Sequence, residues 1–151
     1  MLLVKTEVRE SPIAGVGLFA MENIKKGQLT WRYQPESCVI LTEQQLKEFS
    51  ASFHKGDHAL MEYFSTYAYF VSQINGIVVC LDNGRYVNHS ESPNMGSIIG
   101  LEKVPNAWQT SYAHRDIEKG EELTESYSLY DTSPWWNEMC RERNSYYTAC
   151  C

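Results

Sequence analysis

The segment Asp82-Asn83-Gly84-Arg85-Tyr86-Val87-Asn88-His89-Ser90-Glu91-Ser92-Pro93-Asn94 gathers three asparagines, a histidine and two serines around one proline. Such side chains are costly to bury unless each finds a hydrogen-bond partner. Composition alone would fit a polar surface loop. The order of the residues sets it apart, and two further segments extend the pattern on either side. Upstream lies Ser11-Pro12-Ile13-Ala14-Gly15-Val16-Gly17-Leu18-Phe19-Ala20. Its Gly-x-Gly, taken alone, fits a tight turn between strands better than a ligand loop. Downstream, Ala113 to Tyr127 reads by itself as a charged turn leading into an edge strand.

Around these segments the chain alternates short apolar runs with turns. Leu2-Leu3-Val4, Gly15 to Phe19, Ile24 and Cys38-Val39-Ile40-Leu41 are bounded by Gly and Pro and read as strands. Thr42-Glu43-Gln44-Gln45 matches a capping box, with Leu46, Phe49 and Phe53 at helical spacing until Gly56. A second short helix is predicted from Asp57 to Phe64, with Leu60, Met61 and Phe64 on one face. Phe70 to Ile74 and Ile77 to Leu81 flank Asn75-Gly76, a two-residue hairpin signal. Further strands are predicted at 97–101 and 108–114. Ser133, Pro134 and the run Trp135, Trp136, Met139, Cys140, Arg143 predict a C-terminal helix. The fold class is therefore mostly β (α+β), with a small helical insert at 42–69 and a tail at 131–151.

At 151 residues the chain fits one compact domain, 1–151, with room for a single core. A formal net charge of −6 argues against nucleic-acid phosphates and suits a basic, lysine-rich partner. The opening MLLVKTEVRE is too short in apolar residues for a signal peptide, and no later run reaches membrane-spanning length. A soluble, intracellular protein with reduced thiols is expected.

The three segments, in this order, resemble the motifs of the SET family. Gly15-x-Gly17-Leu18-Phe19 with Ile24-x-x-Gly27 is similar to its opening strands and cofactor loop. Arg85-Tyr86-Val87-Asn88-His89-Ser90-x-x-Pro93-Asn94 is similar to its asparagine-histidine signature. Arg115-Asp116-Ile117-x-x-Gly120-Glu121-Glu122-Leu123-Thr124-x-x-Tyr127 is similar to its closing motif. The likeness runs from about Val4 to Tyr130. It implies a β-clip of short curved sheets with a knot-like core, and methyl transfer from S-adenosylmethionine to a protein lysine, leaving S-adenosylhomocysteine. By the same resemblance, Gly15, Val16, Gly17 and Leu18 offer backbone groups to the cofactor's amino-acid end. Asn88 and His89 hold its amino group and adenine, Tyr127 stands at the reacting centre, and Tyr33 is a second channel tyrosine. A core aromatic is the equal alternative for Tyr33.

Methyl transfer is an in-line displacement by a neutral amine. Orientation supplies much of its rate, and a dehydrated aromatic channel favours the uncharged amine. Many family members bind zinc through a cysteine-rich tail and a cysteine after the asparagine-histidine-serine triplet. Here that position is Glu91, and Cys140, Cys150 and Cys151 lack the spacing, so no metal site is predicted. Trp135 or Trp136 is then placed to wall the channel and bind the cofactor, an indole stacking on adenine or on the lysine; the alternative is a tail helix docked through its indoles. Glu125-Ser126 also departs from the family, which often has an aromatic or apolar residue two before the tyrosine. The second function considered is a non-catalytic SET-like module that binds protein without turnover. A hydrolytic metal site built on His54, His58, His89 and His114 is disfavoured, because Gly56 interrupts any helix joining the first two. The substrate expected is a lysine-containing protein or peptide, histone-like in its basic charge, recognised by the 42–69 insert.

Overall fold

The computed structural model describes residues 1–51, 59–101 and 104–143. Ten strands and three α-helices are formed among them: β1 (Thr6–Glu10), β2 (Val16–Ala20), β3 (Leu29–Arg32), β4 (Cys38–Thr42), α1 (Glu43–Ala51), α2 (Ala59–Tyr67), β5 (Ala68–Val71), β6 (Gly76–Cys80), β7 (Asn88–His89), β8 (Met95–Gly96), β9 (Thr110–Ala113), β10 (Glu122–Glu125) and α3 (Pro134–Arg143). The strands make three small sheets, ordered β1-β2-β10-β7, β3-β9-β8 and β4-β6-β5. The chain divides into two compact units, one from Met1–Cys38 and Cys80–Leu129, the other from Val39–Val79 and the chain from Tyr130 onward.

In the first unit β2 pairs antiparallel with β1 on one side and β10 on the other, with Leu18 opposite Leu123. Both leucines are fully buried, and with Val4, Ala20, Ile24, Met95 and Ile117 they form this unit's core. β10 then pairs parallel with β7, setting Thr124 beside Asn88 and Glu125 beside His89. Between β9 and β10 the charged turn is tied down locally. Ile117 bridges Ile24, the Arg115 guanidinium donates to Glu121 at 2.7 Å, and Asp116 accepts the Lys26 N–H at 2.9 Å.

The second unit holds the helices. The capping box forms: the Thr42 N–H donates to Gln45 Oε1 at 2.9 Å, and the Gln45 N–H returns to Thr42 Oγ1 at 3.3 Å. Leu46 is fully buried, whereas Phe49 is exposed, and Phe53 and Gly56 lie outside the described residues. The second helix runs Ala59–Tyr67, later than predicted, with Met61 and Phe64 inward; Asp57 lies outside the described residues. Trp136 and Cys140 of α3 join Leu46, Phe64 and Ile77 in this unit's core.

Three local expectations are corrected. The two-residue hairpin turn is replaced by a longer connection, because Val71 pairs with Gly76. Ser72 to Ile74 winds into a 3-10 turn, held by the Asp131 carboxylate accepting both the Ser72 N–H and hydroxyl. Asn75 does adopt the left-handed conformation the turn signal demands, at φ 43°. Residues 97–101 form no strand; β8 is shorter and earlier, and the exposed Ile98, Ile99 and Leu101 give that stretch no buried face. Leu2 to Val4 contributes only a bridge from Leu2 to Trp31, while the polar run Thr6–Glu10 makes the strand.

Truncating a fully buried core side chain removes contacts and leaves a void. Leu18→Ala should therefore cost about 3 kcal/mol, seen as a lower urea midpoint at unchanged slope. Glu121 is held below the usual carboxylate range chiefly by its hydrogen bond from Arg115. A depressed folded value stabilises above the ordinary carboxylate range, and this is lost as pH falls through that range. Glu121→Gln should flatten the acid limb of a stability-against-pH curve and leave the neutral plateau only slightly lower, since the pair is partly exposed.

Candidate functional site

In the first unit, four acceptor atoms from two stretches, the 11–16 loop and β10, converge on the side-chain amide of Asn88. Its Nδ2 donates to Glu122 Oε1 at 2.8 Å and lies within 3.2 Å of Ser11 Oγ, the Ala14 carbonyl and the Val16 carbonyl. Ser11 Oγ in turn donates to the Glu122 carboxylate, 2.8 and 2.9 Å from its two oxygens, and accepts the Ile13 N–H. The loop is closed by the Ser11 N–H on the Gly15 carbonyl at 3.0 Å, and Gly15 has a φ of 47° that side chains rarely adopt. Gly17 is required for a different reason: a Cβ there would overlap the Glu122 carboxylate.

Every atom turned toward Asn88 Nδ2 is an oxygen acceptor, and one belongs to a carboxylate. The two N–H groups of the Asn88 amide cannot serve all four oxygens at once, which leaves acceptor capacity for a further donor such as an ammonium. Glu122 and Ser11 were not singled out by sequence reasoning. Both lie inside the quoted motifs, but nothing local distinguishes Glu122 from Glu121. Only the alternation along β10, which turns Leu123 into the core, separates Glu122 from its neighbour.

A second cluster adjoins the first through β7. His89 Nδ1 accepts the Tyr127 backbone N–H at 3.1 Å, which leaves the ring proton on Nε2, 3.0 Å from Glu91 Oε1. The Tyr127 ring lies 5.4 Å from the imidazole, and its hydroxyl donates to the Val87 carbonyl at 2.6 Å. Beneath both clusters Asn94, nearly fully buried, acts as a surrogate strand residue. Its Nδ2 donates to the Glu122 carbonyl at 2.7 Å, and its Oδ1 accepts the Thr124 N–H at 2.9 Å.

The structure thus brings Gly15, Val16, Gly17 and Asn88 together, and sets His89 against Tyr127. The Leu18 side chain is committed to the core, so only its backbone is available. Tyr33 sits at the end of the β3-β9 pair, its half-buried ring edge-on to Trp108 at 5.0 Å. Glu125 reaches the same sheet, accepting the Ser111 hydroxyl at 2.7 Å. Trp135 and Trp136 belong to the second unit. Trp136 is 3% exposed in its core, and Trp135 packs edge-on to Phe70 at 5.6 Å. Among the described residues no group of three or more His, Cys, Asp or Glu is arranged to hold a metal ion, and no helix is long and apolar enough to cross a membrane. His54 and His58 lie outside the described residues.

The SET-domain family model matches residues 15–128. The variant-silencing SET domain-containing protein of Plasmodium falciparum is 30% identical over 149 residues; the match covers 91% of this chain but only 5% of that much longer protein. Among solved structures, a Plasmodium falciparum protein described as a candidate histone methyltransferase superposes with a TM-score of 0.53 at 23% identity, covering 89% of this chain and 99% of that one. An autoinhibited Polycomb Repressive Complex 2 from Chaetomium thermophilum, bound to S-adenosylmethionine, gives a TM-score of 0.59 at 22% identity, covering 93% of this chain and 17% of that one.

Asn94 is the buried joint of the arrangement. Asn94→Ala would leave the Glu122 carbonyl and Thr124 N–H without their partner, so a loss of about 2–3 kcal/mol is expected in chemical denaturation.

Proposed function

Because the chain belongs to the SET-domain family, we propose that it transfers a methyl group from S-adenosylmethionine to a lysine side chain of a protein substrate. The observation that carries this reading is the oxygen-lined cradle around Asn88 Nδ2, joined through β7 to the His89–Tyr127 pair.

The cradle fits the cofactor's ammonium by chemistry. In this reading Asn88 and the carbonyls of Ala14 and Val16 bind that end, Glu122 supplies the negative charge, and His89 contributes backbone atoms on β7. S-adenosylmethionine, when bound, supplies a methyl carried on a sulfonium. The remaining tasks fall to the chain: to align a neutral amine and exclude water. Tyr127 is assigned the orienting role at the amine, and Tyr33 with Trp108 one wall of its approach. The substrate is taken to be a lysine-rich segment, in keeping with a net charge of −6 and with the histone methyltransferase description of a structural relative.

Calorimetric titration of the purified protein with S-adenosylmethionine tests the first half. Saturable binding is expected, weakened about tenfold or more in Asn88→Ala, since the loss of a charge-assisted bond is worth roughly 1.5–3 kcal/mol. Methylation of lysine-rich peptides tests the second, with Tyr127→Phe expected to lower kcat about a hundredfold while cofactor affinity is kept. A folded wild type that binds no cofactor, with or without peptide, would overturn the assignment in favour of an interaction module.

A further inference from the structure

Away from the Asn88 cradle, two thiols face one another across a strand pair. β4 and β6 are neighbours in the third sheet. At one end the Leu81 N–H donates to the Ser37 carbonyl at 2.9 Å, and at the other Gly76 packs against the Leu41 carbonyl. These contacts run the strands antiparallel and set Cys38 opposite Cys80, at a cross-strand position where Cβ atoms come closest. Each thiol acts on the other's ionisation, and both residues are buried, at 7% exposure each.

The pair is chemically unequal. The hydrogen bond from Cys80 holds Cys38 down at about 7, helped by the Ser37 hydroxyl. The same bond, and then burial, pushes Cys80 well above the ordinary thiol range. Cys38 is therefore the thiolate former, and Cys80 is the thiol beside it. Thiolate character and access decide which cysteines oxidise, and an adjacent resolving thiol turns a first oxidation into a reversible one.

We propose that Cys38 and Cys80 form a peroxide-responsive dithiol that closes to a disulfide. The Cys38 thiolate attacks hydrogen peroxide, its O–O bond breaks, and Cys38 becomes a sulfenic acid with release of hydroxide. The Cys80 sulfur then displaces that oxygen, forming the S–S bond, and the oxygen leaves as water with the Cys80 proton. In sum, two thiols and one peroxide give one disulfide and two waters, the sulfurs losing two electrons and the peroxide gaining them. Cys38 and Cys80 bracket the excursion of the chain from Val39 to Val79, so the bond closes that whole stretch into a covalent loop. The site is independent of the methyltransferase reading, because neither sulfur contacts the Asn88 cradle or the His89–Tyr127 pair.

The test uses the full chain, fully reduced, freed of reductant and exposed to a small excess of hydrogen peroxide. Non-reducing peptide mapping is expected to find a Cys38–Cys80 linked peptide, with these two thiols consumed at least tenfold faster than Cys140, which has no exposure at all. Thermal denaturation should show the oxidised protein melting several degrees higher, reversed by dithiothreitol. In Cys80→Ser, dimedone should trap the sulfenic acid at Cys38, and the melting shift should vanish. Both cysteines recovered as free thiols from peroxide-treated wild type would overturn the proposal. So would Cys38 linked only to Cys140, Cys150 or Cys151. The mapping needs no variant, so a misfolded Cys80→Ser does not decide it.

Discussion

The Glu122 carboxylate holds together stretches that lie far apart in the chain. It accepts the Ser11 hydroxyl and the Asn88 amide, and it occupies the space that any side chain at residue 17 would need. Partly desolvated bonds to a charge contribute roughly 1.5–3 kcal/mol each, and removing one partner leaves the others unsatisfied. The glycine loop, the asparagine and β10 therefore stand or fall together. The loop's shape is a consequence of what it surrounds, and Gly17 is a glycine because a carboxylate lies over it.

β10 can hold that carboxylate because it is braced on both edges and from below. β2 supplies the antiparallel edge with Leu18 against Leu123, and β7 supplies a parallel edge of only two residues. So short a parallel pair contributes few bonds of its own. Asn94 makes up the difference by giving β10 an amide that mimics a neighbouring strand, accepting from Thr124 and donating to the Glu122 carbonyl. The buried Thr124 hydroxyl closes the circuit by accepting the Asn94 N–H at 3.4 Å. The polar residues clustered around Pro93 are thus structural first. They position the backbone from which Asn88, His89 and Tyr127 project.

What was legible in the sequence follows from this division. The capping box at Thr42, the left-handed Asn75 and the C-terminal helix after Ser133 depend on neighbours within a few residues, and local chemistry identified them. Thr6–Glu10 was missed because β1 is an edge strand with little burial, so its residues show no apolar alternation. The hairpin loop was misjudged because Asp131, far along the chain, winds Ser72 to Ile74 into a turn. The same holds for the site. Asn88, His89 and Tyr127 carry recognisable order, whereas Ser11 and Glu122 acquire meaning only when distant segments meet.

The bond from the Tyr127 hydroxyl to the Val87 carbonyl bears on how such a site would work. With its proton committed to a backbone acceptor, the phenol presents itself to any further partner as an acceptor. An approaching amine would then donate an N–H to Tyr127, and the nitrogen lone pair would be turned away from the phenol. That is orientation, without proton abstraction, and it is what an in-line displacement by a neutral amine demands. His89 supports the same geometry from the other side, since its Nδ1 fixes the Tyr127 backbone and its own proton is directed to Glu91. In the proposed lysine reaction, the group that takes the proton from the ammonium would therefore not be this tyrosine. Deprotonation would then precede alignment, and the dryness of the amine's approach, more than any single base, would govern how readily the neutral form is reached.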